Sequence, residues 1–459
     1  MVERAQPSRV NVLALLNDQP ISRYQFLVAA LCAAVVFMDG FDAQAIGYVA
    51  PTLSREWHLR PGALGPVFGI GLLGLTIGAL VSGPVADRLG RKPVILFCTL
   101  FFGVCTLLTV TADSLTGLMA WRFLTGLGLG GAMPNAIALT SEYSPDRSRA
   151  SMVMVMFIGF SLGSALGGAL AAQLVPAYGW TIVFWVGGIV PLVLLPILAM
   201  SLPESIRLLA LREGQNERIA TLLARISPRL RFEPQVQFVA AEEHPAGFTV
   251  RRLFSEGRGL GTVLLWIMFF MNLLDLYFLA NWLPTVIHNT GISERLAVIT
   301  TALLQVGGVV GTLILARLLD RFLPYRILAI TYFFAAVFLT AIGSAGSSIA
   351  LIIPLVFATG FCVVGAQIGA NALAALYYPT FIRSTGVGWA LGIGRIGSIV
   401  GPVVGGILLA QQWSIPRIFL LGALPALIAA AAVFAMGQLR PDLPGRQSTS
   451  ASPSMSMGH

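Results

Sequence analysis

Residues 26 to 49 read FLVAALCAAVVFMDGFDAQAIGYV, an apolar run interrupted near its middle by Asp39 and Asp42. A helix crosses the hydrocarbon layer of a bilayer with about 20 such residues. Comparable runs recur at 63 to 83, 93 to 112, 116 to 139, 150 to 173, 180 to 201, 260 to 283, 296 to 318, 327 to 344, 349 to 374, 385 to 409 and 417 to 437, which with the first makes twelve. The segments between them hold nearly all the charge. With 56% hydrophobic and 11% charged residues in a chain of 459, a soluble surface is excluded. The reading is an all-α integral membrane protein. Its first apolar run is too long and too acidic for a cleavable signal, so that helix stays.

The net charge of +9 invites a nucleic-acid reading, but in membrane proteins Lys and Arg mark the cytoplasmic loops. With the N-terminus inside, 23 of the 29 basic residues lie in cytoplasmic segments or at their span ends, four at the outer side (Arg55, Arg60, Arg295, Arg417) and two deep in spans (Arg122, Arg395). Both termini are therefore expected inside, with the lipid bilayer and not nucleic acid as the partner. The organisation follows: a cytoplasmic segment 1–25, a six-helix bundle 26–201, a cytoplasmic loop 202–259 with a short amphipathic helix near Ile206 to Ile226, a second bundle 260–437 and a tail 438–459. The Ser- and Met-rich end of the tail, from Gln447, is expected to be disordered. Cys32, Cys98, Cys105 and Cys362 fall within spans, so packing is their expected use and no disulfide is expected.

The two bundles repeat one another. Asp39, Asp42 and Pro51-Thr52 in the first span recur as Asn272, Asp275 and Pro284-Thr285 in the seventh, each displaced by 233, and Asp87-Arg88 recurs as Asp320-Arg321 at the same offset. Pro145 and Arg149 recur as Pro379 and Arg383 at an offset of 234. The fifth span carries Gly159, Gly163 and Gly167 at four-residue spacing, and the eleventh carries a like ladder of Gly397, Gly401 and Gly405. Such ladders let helix backbones approach closely in lipid, as simple packing or as a scaffold for a moving interface. Two pseudo-symmetric halves place a substrate site between them near the midplane.

Ionisable residues at membrane depth are costly, and each is a functional candidate. Asp39 and Asp42, three apart, share a helical face, and Gly40 between them admits a close neighbour. Two carboxylates so close in a low dielectric cannot easily both stay ionised, which suits a proton carrier. Asp42 is read as carrying the transported proton and Asp39 as coupling it to substrate; structural pairing with Arg122 is the alternative. Arg395, flanked by Gly392, Gly394 and Gly397, offers a planar fork to a carboxylate and is read as the substrate anchor. Its alternative is an internal salt bridge to Asp275 or a first-span Asp. Arg122 either orients the first-span acids or touches substrate. Gln44, Asn135, Gln367 and Asn371 are candidate cavity groups or interhelical glue. Phe41, Tyr277 and Trp389 could stack on a ring, with lipid-facing packing as the plain alternative.

The segment Gly83-Pro-Val-Ala-Asp87-Arg88-Leu-Gly90-Arg91-Lys92 resembles the signature loop of the major facilitator superfamily. The resemblance implies that fold and a gate latch, closed while the cavity opens outward, in which Asp87 sits against a helix end of the other half. Arg88, Arg91 and Lys92 then hold the cytoplasmic side. Asp39-Gly40-Phe41-Asp42 resembles the hallmark of the aromatic acid:proton symporter branch. So do Arg122 through Asn135 with Ser141-Glu142, Leu202-Pro203-Glu204-Ser205, and the Arg383 and Arg395 segment. The branch implies proton-gradient-driven import of a small aromatic carboxylate such as 4-hydroxybenzoate, protocatechuate or benzoate across the bacterial inner membrane, without cofactor or metal, by what is expected to be a monomer. Asp39, Asp42, Arg122, Glu142, Asp87 and Arg395 are the positions it marks for transport, with Arg149 and Arg383 read as further gate residues. Asp275 departs from the branch, leaving an extra proton site or altered substrate choice open. A multidrug exporter would carry a Gly-Pro pair in the fifth span, where this chain has Gly167-Gly168. A sensor would need a signalling domain, and no nucleophile elbow, nucleotide loop or His-rich cluster suggests an enzyme.

Overall fold

In lipid each backbone N–H and C=O must be paired within its own segment, so an apolar run becomes a helix. The computed structural model describes residues 9–145, 147–212, 214–228, 236–239, 253–255, 257–378 and 382–439. Twelve of its helices are long and apolar enough to span a membrane. They are α1 (Arg23–Glu56), α2 (Gly65–Leu89), α3 (Arg91–Leu108), α4 (Leu115–Glu142), α5 (Arg149–Tyr178) and α6 (Thr181–Ser201) in the first half. The second half comprises α7 (Gly259–His288), α8 (Glu294–Arg321), α9 (Pro324–Ser344), α10 (Ile349–Tyr377), α11 (Arg383–Ala410) and α12 (Ile415–Leu439). Polar residues cap several starts: Ser22 and Gln25 form a capping box on α1, while Ser114 and Ser293 cap α4 and α8. The 34 residues of α1 reach about 51 Å, well beyond the hydrocarbon layer.

Glycine sets the packing within each half. A Cβ on Gly74 or Gly78 of α2 would run into the backbone of Phe123 or Leu127 on α4, and one on Gly126 into Gly71. In the second half Gly307 and Gly311 of α8 meet Phe357 and Phe361 of α10, and Gly360 meets Leu304. Every one of these pairs is its counterpart displaced by 233 or 234 residues. The ladders read from sequence behave alike: Gly159 and Gly163 of α5 abut Ala33 and Phe37 of α1, and Gly397 and Gly401 of α11 abut Phe270 and Leu274 of α7.

The halves touch through α5 with α8, α2 with α11, and α1 with α7. The N-terminal segment and the inter-bundle connection belong with the first half. There β1 (Arg9–Asn11) pairs in parallel with β2 (Gln237–Val239), and Val12, Leu16, Leu209, Ile219, Leu223 and Phe238 share one core with Val28 and Val35 of α1.

Two sequence expectations need correction. The amphipathic helix near Ile206 to Ile226 is two helices, Ile206–Ala210 and Asn216–Ile226, separated by a turn in which Gly214 adopts φ +74°. The segment Gly83 to Lys92 is barely a loop: Gly83 to Leu89 completes α2, Gly90 turns the chain at φ +123°, and Arg91 opens α3. The four cysteines are free and buried. The tail from 440 and the Pro379 position lie outside the described residues.

Candidate functional site

Although they are three residues apart on α1, Asp39 and Asp42 have different partners. Asp42 is held within the first half: Arg122 Nη1 lies 2.9 Å from Oδ2 and 3.0 Å from Oδ1, and Nη2 donates to the Asp42 carbonyl at 3.2 Å. Thr106 Oγ1 donates to Oδ1 at 3.3 Å. The two charged side chains are only 1% and 6% exposed, and the guanidinium lies 5.9 Å from the centroid of Phe184. A buried pair of this kind keeps both charges compensated.

Asp39 is equally buried, but its Oδ1 has no hydrogen-bond partner, and the charges bearing on it are Arg395 and Asp42. Arg395 comes from α11 in the other half, and its Nη1 donates to Tyr277 Oη on α7 at 3.4 Å. Two turns and one turn before Arg395 on α11, Gly388 and Gly392 have nothing within 4 Å of where a Cβ would sit, and Arg395 itself is only partly buried. Thus α1, α7 and α11 bring an unpaired carboxylate, a phenol and a guanidinium together between the halves. Gly40 admits the backbone of α5 at Phe160, and Ser164 Oγ donates to its carbonyl at 2.8 Å.

Asp275 pairs with no cation among the described residues. It is 1% exposed, its Oδ1 is unpartnered, and its charge bears on Tyr332 of α9, whose hydroxyl is also unpartnered. The alternative of an Arg395–Asp275 bridge is not what forms. Asp275 is the repeat counterpart of Asp42, but the position matching Arg122 is Val356. On α10, Gln367 accepts from Asn272 Nδ2 at 2.6 Å and donates to Asn371 Oδ1 at 3.4 Å. Asn135 returns its amide to Gly131 of its own helix at 2.8 Å, and Gln44 is buried with Oε1 unpartnered. Of the aromatic candidates, Phe41 is buried against Gly167 and Gly187, Tyr277 is buried at Arg395, and Trp389 stacks on Trp266 with centroids 5.8 Å apart.

At the Gly90 end, Asp87 is 67% exposed and pairs with Arg91 at 2.8 Å, inside its own half rather than against a helix of the other. Arg91 also reaches Glu142 at 3.6 Å. Glu204 Oε1 accepts from the backbone N–H of Arg91 at 2.8 Å and of Lys92 at 3.3 Å, capping α3 from the far end of α6. Lys92 Nζ donates to the Ala199 carbonyl at 2.7 Å, Arg149 Nε to Ser141 at 3.2 Å, and Arg212 to the Arg88 carbonyl. Arg383 begins α11, with its side chain outside what is described.

The opposite end is shut by contacts between the halves. Glu294 at the start of α8 accepts from Thr52 and pairs with Arg55 at 3.2 Å. Trp282 of α7 packs edge-on against Phe68 of α2 with centroids 4.9 Å apart and donates to the Pro402 carbonyl of α11 at 2.7 Å. Gly62 and Gly65 meet Gly406 backbone to backbone. Polar groups at mid-span, interhalf contacts at one end and, at the other, an Asp87 that among the described residues pairs only inside its own half match the layout of an alternating-access carrier.

The family model described as Major Facilitator Superfamily matches residues 32–249 and 265–455. The chain belongs to the major facilitator superfamily. As a member it is a multi-pass inner-membrane transporter and not an enzyme. It is 42% identical over 434 residues to the gallate transporter of Pseudomonas putida, covering 94% of this chain and 96% of that one. The 4-hydroxybenzoate transporter PcaK of Pseudomonas aeruginosa is 41% identical over 435 residues, with 94% and 96% covered. Among solved structures, the inward open conformation of the xylose transporter XylE from E. coli superposes with a TM-score of 0.73 at 16% identity, over 92% of this chain and 98% of that one, which speaks to the superfamily fold.

Sequence reading passed over Thr106, Glu294 and Trp282, and met Glu204 only within the Leu202 to Ser205 resemblance, with no role assigned. Thr106 and Trp282 look like ordinary span residues, and the acids lie at span ends where a solvated carboxylate is unremarkable. Asn272 and Tyr277 were visible, the first through the repeat and the second as an aromatic, but nothing local linked them to Gln367 or Arg395.

Proposed function

We propose that this transporter imports a small aromatic carboxylate of the 4-hydroxybenzoate, protocatechuate, gallate or benzoate kind together with protons, acting as a monomer. The observation that carries the reading is that Asp39 of the first half, buried with no ion partner among the described residues, lies in the field of the partly buried Arg395 of the second. Arg395 is the anchor. While Asp39 is ionised it competes with a substrate carboxylate for that guanidinium; a proton on Asp39 releases Arg395 to the substrate. Loss of the proton on the other side then expels the anion. Asp39 is assigned the travelling proton in place of Asp42, because Arg122 and Thr106 occupy Asp42. Arg122 accordingly orients Asp42 rather than touching substrate, and Asp275 stands as a second buried acid available to the proton path.

With both termini in the cytoplasm, as the distribution of Lys and Arg supports, the Asp87 end faces inward and the Glu294 end faces out. Asp87, Arg88, Arg91, Lys92, Glu142, Arg149 and Arg383 are assigned to the inner gate, with Asp87 leaving Arg91 to engage the second half when the inner end closes. The relatives named above support the substrate class, and the absence of a Gly-Pro pair in α5 disfavours multidrug export.

The test is uptake of labelled 4-hydroxybenzoate into vesicles with an imposed pH gradient. Wild type accumulates the acid, and Asp39→Asn loses gradient-driven accumulation while still exchanging external for internal acid. Accumulation by Asp39→Asn at the wild-type level would remove Asp39 from the proton path.

A further inference from the structure

Three amides stand in series across α7 and α10. Asn272 Nδ2 donates to Gln367 Oε1 at 2.6 Å, and Gln367 Nε2 donates to Asn371 Oδ1 at 3.4 Å. Asn272 is 1% exposed, whereas Gln367 and Asn371 are only half-buried. The chain of bonds therefore starts in the core and ends at a partly open group. Polar amides at mid-span do not face lipid, because an unsatisfied amide in hydrocarbon costs several kcal/mol. Their exposed side is therefore taken to face the space between the halves.

An amide has both a donor and an acceptor end, and each internal bond in the series uses one of each. Whichever way the three amides point, Gln367 is filled on its carbonyl and on one N–H, and Asn371 is left with an unspent hydrogen-bonding group at the end. Read in one direction that end donates; reversed, it accepts. A hydroxyl satisfies either, since it both donates and accepts, whereas a carboxylate satisfies only the first. The same helix α7 carries Asn272 on this chain and, five residues on, Tyr277 on Arg395. Five residues advance about 7.5 Å along the helix axis, so the two groups leave α7 at different depths.

We propose that Gln367 and Asn371 form a subsite for a ring hydroxyl of the substrate, opposite the Arg395 carboxylate anchor, and that Asn272 is the positioning residue that fixes the Gln367 amide. The subsite rests on the reading of the protein as an aromatic-acid carrier and narrows it to hydroxylated acids. Asn272 occupies the position that the repeat gives to Asp39, so the duplicated sites have divided the work: the first half keeps an acid for the proton, and the second keeps an amide for the neutral end of the ring.

A site built to bond a hydroxyl discriminates strongly against the analogue that lacks it, because its polar groups are then left unpaired. The measurement is the ratio of kcat/KM for 4-hydroxybenzoate over benzoate in gradient-driven vesicle uptake, a ratio that does not depend on how much carrier is folded. Gln367→Leu and Asn371→Leu each lower the ratio about ten-fold. Asn272→Leu lowers it in the same direction, with the change carried by KM. A ratio within two-fold of wild type in Gln367→Leu and Asn371→Leu overturns the subsite. Where a variant binds but does not transport, thermal stabilisation of the purified carrier by each acid yields the same ratio and decides between the same two outcomes. Wild-type vesicles that accumulate neither acid instead defeat the carrier reading, and the subsite with it.

Discussion

Three residues of spacing on α1 separate two different uses of a carboxylate. Asp42 is compensated by Arg122, with Thr106 completing its shell, while Asp39 is left to the field of Arg395. Removing one partner of a buried pair strands the other charge, at a cost of about 3 to 5 kcal/mol. Asp42→Asn is therefore expected to lower the unfolding free energy by about that much, and Arg122→Gln added to it to recover part of the loss. Thermal or denaturant melts of the two singles and the double in detergent measure it; additive losses would mean that the pair does not act as a unit. The acids were legible in the sequence as a same-face pair of candidates. Which one is paired was not, since 3.6-residue periodicity gives a face to within about a third of a turn, and the choice between Arg122 and Arg395 lies in how neighbouring helices are rotated.

The elements are set by glycine contacts whose register repeats between the halves. A larger side chain at such a position must push two backbones apart, which costs about 1 to 3 kcal/mol by overpacking. Gly74→Leu and its counterpart Gly307→Leu are expected to lose similar stability, because Phe123 and Phe357 stand at the same place against them. Melting temperatures of the two variants check this, and a loss confined to one half would break the structural equivalence. The ladders Gly159–Gly167 and Gly397–Gly405 were readable as spacing, and their corresponding contacts on α1 and α7 follow. The α2 and α8 glycines carry the same offset and were equally open to sequence inspection. The α3 start was less legible: Glu204 caps it from more than a hundred residues away, and no local pattern links an acid after α6 to a turn at Gly90.

For the whole molecule, the position of interhalf contacts defines the state. They gather at the end where Glu294 reaches Thr52 and Arg55 and where Trp282 fills the space beside Phe68 and Pro402, while Asp87 at the other end is engaged within its own half. If alternation parts the Glu294 end, joining it must stop the cycle. A reducible thiol crosslinker joining Arg55→Cys to Glu294→Cys is expected to abolish uptake, and reduction to restore it. Full uptake in the crosslinked protein would show that these ends never separate.

Composition, twelve apolar runs and the constant offset between halves were enough to establish a duplicated helical membrane protein, because lipid leaves the backbone no alternative to the helix and one helix length to cross it. The buried charges could be enumerated for the same reason. Which of them meet was decided only by tertiary structure: Asp42 with Arg122, Asp39 near Arg395, Asn272 with Gln367, and Asp275 with no cation among the described residues. Those contacts join helices by rotation and depth, two quantities that packing between distant segments sets and that no stretch of sequence carries by itself.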